Sequence, residues 1–346
     1  MNDGLRPAGD GHLLQPTAAG LYCPAGDFYI DPRRPVPRAV ISHAHADHAR
    51  PGSDCYLAAA PGAGILRRRL GAAIRLQTLA YGERLTVGGV TLSLHPAGHI
   101  LGSAQVRIEL GGEIWGVTGD FKTDPDPTCA PFEPVHCHTL VTECTFGLPV
   151  FRWPPTAVVM AEIRQWWQEN RAAGRTSVLF AYALGKAQRV LAEIGREDGD
   201  VFTHGAVETV TACYREAAVR LADTRPVGEA QDRRMFRGAL VVAPPSADHA
   251  GWLRRFPDPV RGFASGWMRI RGQRRRRGVH RGFVLSDHAD WNGLKTAVAA
   301  SGAQRVWATH GYAAAFAGWL RSRGVDAAVL TENGVTPVAP PAPGAP

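Results

Sequence analysis

Apolar positions along this chain repeat with two different periods, and the change of period divides it. Between residues 83 and 118 they alternate singly. Glu83-Arg84-Leu85-Thr86-Val87 and Val90-Thr91-Leu92-Ser93-Leu94 flank Gly88-Gly89, and residues 105–110 and 114–118 flank Gly111-Gly112. Single alternation on both sides of a Gly-Gly pair predicts two β-hairpins. Asp27-Phe28-Tyr29-Ile30-Asp31, Ala39-Val40-Ile41 and Leu140-Val141-Thr142-Glu143 predict further short strands, with an edge strand at His12-Leu13-Leu14. Residues 62–71 predict a short helix whose Arg67, Arg68 and Arg69 lie on a solvated face.

From residue 154 the regime changes. Pro154-Pro155-Thr156 opens a helix to about Asn170, with Ile163, Trp166 and Trp167 on its apolar face. Strands over 177–181, 201–203 and 239–243 then alternate with helices over 187–194 and 207–221, which predicts a parallel α/β layer. After the arginine-rich stretch 268–281 the first pattern returns. A strand from Gly282 leads to Asp287-His288 and a helix over 291–301; a strand from Arg305 leads to His310 and a helix over 313–323. The Pro/Ala tail 336–346 is expected to be disordered.

Composition narrows the class. A chain of 346 residues with 45% hydrophobic and 20% charged positions fits one large globular domain or two ordinary ones. It contains no run of eighteen apolar residues, so no membrane span is expected. Met1-Asn2-Asp3-Gly4-Leu5 lacks the features of a signal peptide, and the six cysteines are scattered without Cys-x-x-Cys. Both point to a reducing cytoplasm. The net charge of +8 favours an anionic partner such as nucleic acid. GC-rich coding, which favours Arg over Lys, would have the same effect, so charge alone leaves the partner open.

The chemistry concentrates in Ser42-His43-Ala44-His45-Ala46-Asp47-His48, directly after an apolar strand. Period-two alternation puts His43 and His45 on one side of an extended segment, while Asp47 and His48 can face a second point. Imidazoles and carboxylates are the ligands of zinc or manganese at neutral pH. His99 and Asp120, each at a strand end, are the residue types that would complete a two-metal site. Asp31 could orient the loop from behind, with Asp27 as the competing candidate. His136-Cys137-His138 has no partner motif and reads as structural. Lys186, at a Gly-Lys helix start, and Ser265 could meet a substrate phosphate. Arg274, Arg275, Arg276 and Arg277 read either as a solvated loop or as phosphate-backbone contacts without sequence readout.

Together these residues resemble a known family. His43-x-His45-x-Asp47-His48, Gly98-His99 and Gly119-Asp120 resemble the metallo-β-lactamase fold. Thr142-Glu143-Cys144-Thr145-Phe146-Gly147, Phe180-Ala181-Tyr182-Ala183-Leu184-Gly185-Lys186, Phe263-Ala264-Ser265-Gly266, Leu285-Ser286-Asp287-His288-Ala289-Asp290 and Thr309-His310-Gly311 resemble its β-CASP nuclease branch. The whole pattern is most similar to the bacterial ligase-associated DNA exonucleases. The resemblance implies an αββα sandwich over residues 1–150 and 279–335 with an inserted β-CASP α/β cap over 151–278. It also implies two divalent metal ions, zinc first and manganese second. His43, His45 and His99 would hold one; Asp47, His48 and His310 would hold the other, with Asp120 bridging. Asp47 and Asp120 also count among the catalytic groups, His288 would protonate the leaving oxygen, and Glu143 would be its acidic partner. Asp31 matches the family's supporting aspartate. The implied partners are DNA, single-stranded or at ends, and a DNA ligase and helicase of the same repair pathway.

The expected activity is therefore hydrolysis of DNA phosphodiester bonds by a two-metal exonuclease in repair, working from 5′ ends. One departure favours an RNA endo- or exonuclease instead: DNA-acting Artemis-type members generally lack a histidine at the position of His310. A thioesterase or lactamase would place its last histidine sooner after the bridging aspartate. A catalytically dead binding protein would not keep all seven ligand positions.

Overall fold

The computed structural model describes residues 12–195, 198–272, 275, 278, 280–332 and 334–338. Asp126–Thr128 and Val150–Asp287 form one compact unit, and the remaining described residues form the other.

The first unit is a two-sheet sandwich. One sheet orders Gln15–Thr17, Gly20–Cys23, Phe28–Ile30, Arg38–Val40, Cys55–Ala59 and Leu76–Leu79 side by side. The other runs from Gly334–Pro337 through Asp326–Thr331, Arg305–Thr309, Thr139–Glu143, Glu113–Val117, Ala104–Leu110 and Val90–Pro96 to Arg84–Val87. Phe28, Ile30, Val40 and Leu57 of the first sheet share a core with Leu92, Val106, Trp115, Val141 and Trp307 of the second. Alternation feeds the opposite face as well. Leu140, Val306 and Ala308 point to a second core with Leu294 and Phe316 of the helices Trp291–Ser301 and Ala313–Arg321. Both expected hairpins form, with Val87 opposite Val90 and Leu110 opposite Glu113.

The second unit carries a wholly parallel six-stranded sheet: Arg225–Pro226, Val201–Thr203, Leu240–Ala243, Thr176–Phe180, Pro259–Ala264 and Arg281–Phe283. Its central strands are buried end to end, as a sheet covered on both faces requires. Leu179 and Val242 join Ile163 and Trp167 on one face, while Phe180 and Val241 join Phe236 and Phe256 on the other.

Four expectations shift. The strand near the N-terminus is Gln15–Thr17; Leu13 and Leu14 fill the sandwich core instead of pairing. The strand expected to restart the first pattern, Arg281–Phe283, belongs to the second unit, because it pairs in parallel with Pro259–Ala264 and Phe283 packs on Trp166. That unit therefore runs to Asp287 rather than 278. Helix Gly205–Glu216 stops short of 221, where Ala218 turns to a φ of 61°. The start of the supposed disordered tail is ordered: Thr336 and Pro337 pair with Val329 and Ala328. Residues 339–346 of that tail lie outside the described residues.

Candidate metal centre

The loops that follow Arg38–Val40, Val90–Pro96, Glu113–Val117 and Arg305–Thr309, and the end of Thr139–Glu143, meet at one end of the sandwich. They carry His43 to His48, His99, Asp120, His310 and Glu143 respectively. Two tight turns set the approach. Gly98 and Gly119, each preceding a ligand-type residue, have φ values of 71° and 56°. A Cβ at Gly98 would lie 2.3 Å from the Lys122 carbonyl oxygen, and one at Gly119 would lie 2.6 Å from the Ser42 side chain. Only glycine fits both demands.

The first donor group is compact. His45 Nδ1 lies 3.0 Å from His43 Nε2 and 3.0 Å from His99 Nε2, and Asp120 Oδ2 lies 3.4 Å and 3.7 Å from those two Nε2 atoms. A tetrahedral ion with bonds of about 2.0–2.2 Å separates its ligands by roughly 3.3–3.6 Å, so these four atoms fit one ion. Burial and the neighbouring His48 lower the His43 pKa. Burial, with His43, His288 and His45 nearby, holds His99 well below the usual imidazole range. Both rings are thus neutral, as ligation requires.

The other Asp120 oxygen faces a second group. Oδ1 lies 3.4 Å from His48 Nε2, and Asp47 Oδ2 lies 3.8 Å from the same nitrogen. His48 Nε2 is buried without a hydrogen-bond partner, while its Nδ1 lies 2.7 Å from Asp31 Oδ2. A buried nitrogen aimed between carboxylates and otherwise unsatisfied suits a cation. Electrostatics agree. Burial pushes His48 down, but Asp120 and Asp31 outweigh it and raise its pKa well above the usual value. Burial raises Asp120, yet His48, His288 and His43 hold its carboxyl well below the usual range. Positive charge is favoured between these groups, and a proton or a metal ion can supply it. His310 stacks on His48 with ring centroids 5.7 Å apart and adopts a φ of 61°. Its contact with the second group is looser than the contacts in the first.

A third cluster adjoins both. Asp120, Glu143 and His288 bring donor atoms within 4.8 Å of one another. His288 Nδ1 lies 2.9 Å from Glu143 Oε1, and Glu143 also accepts the backbone N–H groups of Phe121 and Thr145 at 3.3 and 2.9 Å. The His288 ring lies 4.8 Å from that of His99.

No known protein-family signature matches the chain. It is 36% identical to a probable DNA ligase of Opitutus terrae over 319 residues, which cover 91% of this chain and 31% of that protein. It is 27% identical to an RNase J-like protein of Methanocaldococcus jannaschii over 143 residues, 39% of this chain and 34% of that one. The chain thus spans about a third of the length of these relatives. By these matches the chain is similar to the β-CASP branch of metallo-β-lactamase-fold nucleases. Its fold also resembles a protein of unknown function from Enterococcus faecalis V583, with a TM-score of 0.52 at 13% identity, covering 78% of this chain and 74% of that one.

Away from the centre, the surroundings of several residues differ from the sequence reading. Lys186 does not face solvent; its Nζ lies 2.7 Å from Asp287 Oδ2 with both side chains buried. An ammonium placed so is paired with an internal carboxylate. Ser265 is buried and its Oγ accepts the N–H of Trp267, capping a short 3-10 turn. Arg69 is exposed with Arg67 and Arg68, as expected, and its guanidinium also donates to the Ala44 carbonyl inside the histidine loop. Arg275 is exposed, while Arg274, Arg276 and Arg277 lie outside the described residues. Two supporting residues escape the sequence reading. Ser42 links Asp31 to His43, with Oγ 2.5 Å from Asp31 Oδ2 and 3.0 Å from His43 Nδ1. Ser103 accepts the N–H groups of His99 and Ile100 at 3.1 and 3.2 Å. Ser42 stands inside the ligand motif, where its position is a signal; Ser103 has no sequence signal, because its partners come from turn geometry.

Proposed function

We propose that this β-CASP chain hydrolyses DNA phosphodiester bonds as a two-metal exonuclease acting in repair. The observation that carries the proposal is the division of Asp120, whose Oδ2 faces the His43–His45–His99 triangle while Oδ1 faces His48. A bridging carboxylate with one oxygen toward each donor group is what two adjacent divalent ions need. His43, His45 and His99 would hold one ion, and Asp47, His48 and His310 the other; the nitrogen-rich donor set suits zinc, then manganese. When bound, the ions supply a nucleophile at neutral pH and neutralise the growing charge on the phosphate.

The chain's own residues do the rest. Asp31 and Ser42 fix the rings of His48 and His43. Glu143 orients His288 through Nδ1, and that imidazole is suited to give a proton to the leaving oxygen. The exposed Arg275 and its neighbours Arg274, Arg276 and Arg277 are suited to backbone phosphates and give no base readout.

DNA is preferred over RNA because the relative matching 91% of the chain is a probable DNA ligase. That match also suggests a ligase, with a helicase of the same pathway, as partners. The second reading, an RNA endo- or exonuclease, is favoured by His310 beside His48 and by the RNase J-like relative. The deciding experiment offers labelled single- and double-stranded DNA and RNA, each with and without a 5′-phosphate, to protein reconstituted with zinc or manganese. Metal-dependent release of mononucleotides from DNA is expected. Cleavage confined to RNA would hand the case to the second reading, and inertness toward every nucleic acid would end both.

A further inference from the structure

The helix Ala63–Leu70 of the first unit carries a charge cluster that the metal chemistry does not use. Arg67, Arg68 and Arg69 are consecutive and exposed, and none forms an ion pair with a carboxylate among the described residues. Their own stretch supplies no acid: no Asp or Glu stands between Asp54 and Glu83, where Arg75 adds a further exposed guanidinium. Arg67 Nη1 lies 3.5 Å from the Ala72 carbonyl oxygen just past the helix, which accounts for one cation beside the last turn. Arg69 has a different anchor. Its Nη1 donates to the carbonyl of Ala44, the residue between His43 and His45. Partial burial lowers the Arg69 pKa while the Asp47 carboxylate opposes that shift, so the guanidinium stands within electrostatic range of the donor groups.

We infer that Arg68 and Arg69 bind the phosphodiester backbone of a nucleic-acid strand, next to the phosphate held at the metal centre. Adjacent guanidiniums without a counter-charge repel one another, and a polyanion that spans them relieves the repulsion. A guanidinium stays charged and presents five donors in a planar fork. The Ala44 carbonyl takes one donor of Arg69, and the rest of the fork is open to phosphate oxygens. That tie fixes the group before any strand arrives, which lowers the ordering cost of binding. The centre sets the register. A strand whose scissile phosphate meets His43, His45 and Asp120 carries its next phosphate one nucleotide along, and Arg69 is tied to the loop that holds both histidines. A repeating anion matches consecutive cations better than a lone carboxylate does. Such contacts position a strand and read no bases, so they serve DNA and RNA alike. The inference rests on the nuclease reading and names residues that would hold its substrate.

The test measures anisotropy with a labelled oligothymidylate, using the full chain carrying Asp120→Asn so that nothing is cut. Arg68→Gln and Arg69→Gln should each weaken binding by about tenfold and reduce the slope of log affinity against log salt by about 0.7. Arg69→Lys, which keeps the charge without the fork, should fall between parent and Arg69→Gln. A second series replaces the phosphates of the oligonucleotide, one at a time, by neutral methylphosphonates. At one position the replacement should weaken binding to the parent by about tenfold, yet change binding to Arg69→Gln by less than about twofold, since that contact is already gone. Both glutamine variants binding like the parent would overturn the cluster while leaving the nuclease reading intact. Methylphosphonate penalties that persist at every position in Arg69→Gln would overturn it too, because Arg69 would then only brace the histidine loop. Failure of the parent chain to bind or cut any nucleic acid would remove the nuclease reading itself.

Discussion

Asp31 and His48 form the support on which the second donor group stands: Oδ2 lies 2.7 Å from Nδ1, and Oδ1 takes the N–H of Ser42 at 2.7 Å. One carboxylate thereby ties a ligand-type imidazole to the backbone of the loop that carries it. Asp31 holds a φ of 44°, a conformation asparagine adopts almost as readily. Asp31→Asn should therefore leave the fold intact yet weaken affinity for the second metal ion by about 10- to 100-fold. Competition with a chromophoric chelator reads this directly, and two equally tight sites in the variant would show that Asp31 is only a turn residue.

Proton linkage gives a second expectation. His48 is buried, which lowers its pKa, but Asp120 and Asp31 more than compensate and raise it well above 6.5. In metal-free protein the ring therefore keeps its proton at neutral pH. That contribution to stability is complete below the ordinary imidazole pKa and fades as pH climbs through the raised one. A divalent ion needs the neutral ring, so it must displace the proton. Metal affinity should rise from about pH 6 to pH 8, with about one proton released per ion at the second position. Calorimetry in buffers of different ionisation enthalpy counts the protons; a count of zero would exclude His48 as a ligand.

The His288–Glu143 pair separates acid catalysis from metal binding. His288→Ala should slow cleavage by about 10²- to 10⁴-fold with metal content unchanged. His45→Ala and Asp120→Ala should instead lose both activity and metal while circular dichroism stays native. Stoichiometric metal loss from His288→Ala would make that histidine a ligand.

Lys186 and Asp287 form a buried pair in the second unit. Lys186→Met leaves Asp287 to Arg189, which lies 3.9 Å from its other oxygen, and should cost up to about 3–5 kcal/mol of stability. Urea denaturation measures the loss. A variant as stable as the parent, but with a flatter salt dependence of DNA binding, would restore the phosphate role inferred from the Gly-Lys motif.

The difference between what the chain announces and what it hides follows from the range of the interactions. The hairpins at Gly88-Gly89 and Gly111-Gly112 are legible because register and turn are set by neighbours in sequence. So is the loop from His43 to His48, where residue type and spacing coincide. The partner of Arg281–Phe283 is not legible, since a parallel strand pairs with whatever the topology brings beside it. Cys55–Ala59 and Pro259–Ala264 show no alternation, one being buried almost throughout and the other holding a mid-strand glycine. Lys186 misleads for the same reason: its carboxylate is 101 residues away.

The strands Glu113–Val117, Thr139–Glu143 and Arg305–Thr309 run parallel, so all three deliver their chemistry at the same edge and begin at the opposite one. At that opposite edge, Gly111 and Gly112 border open space: a Cβ at either would meet no neighbouring atom, although their positive φ values strain any side chain placed there. A dye, an affinity tag or new chain termini installed at this turn would sit a full strand length from the ligands. The first unit can thus be tethered or observed from the edge opposite its donor groups.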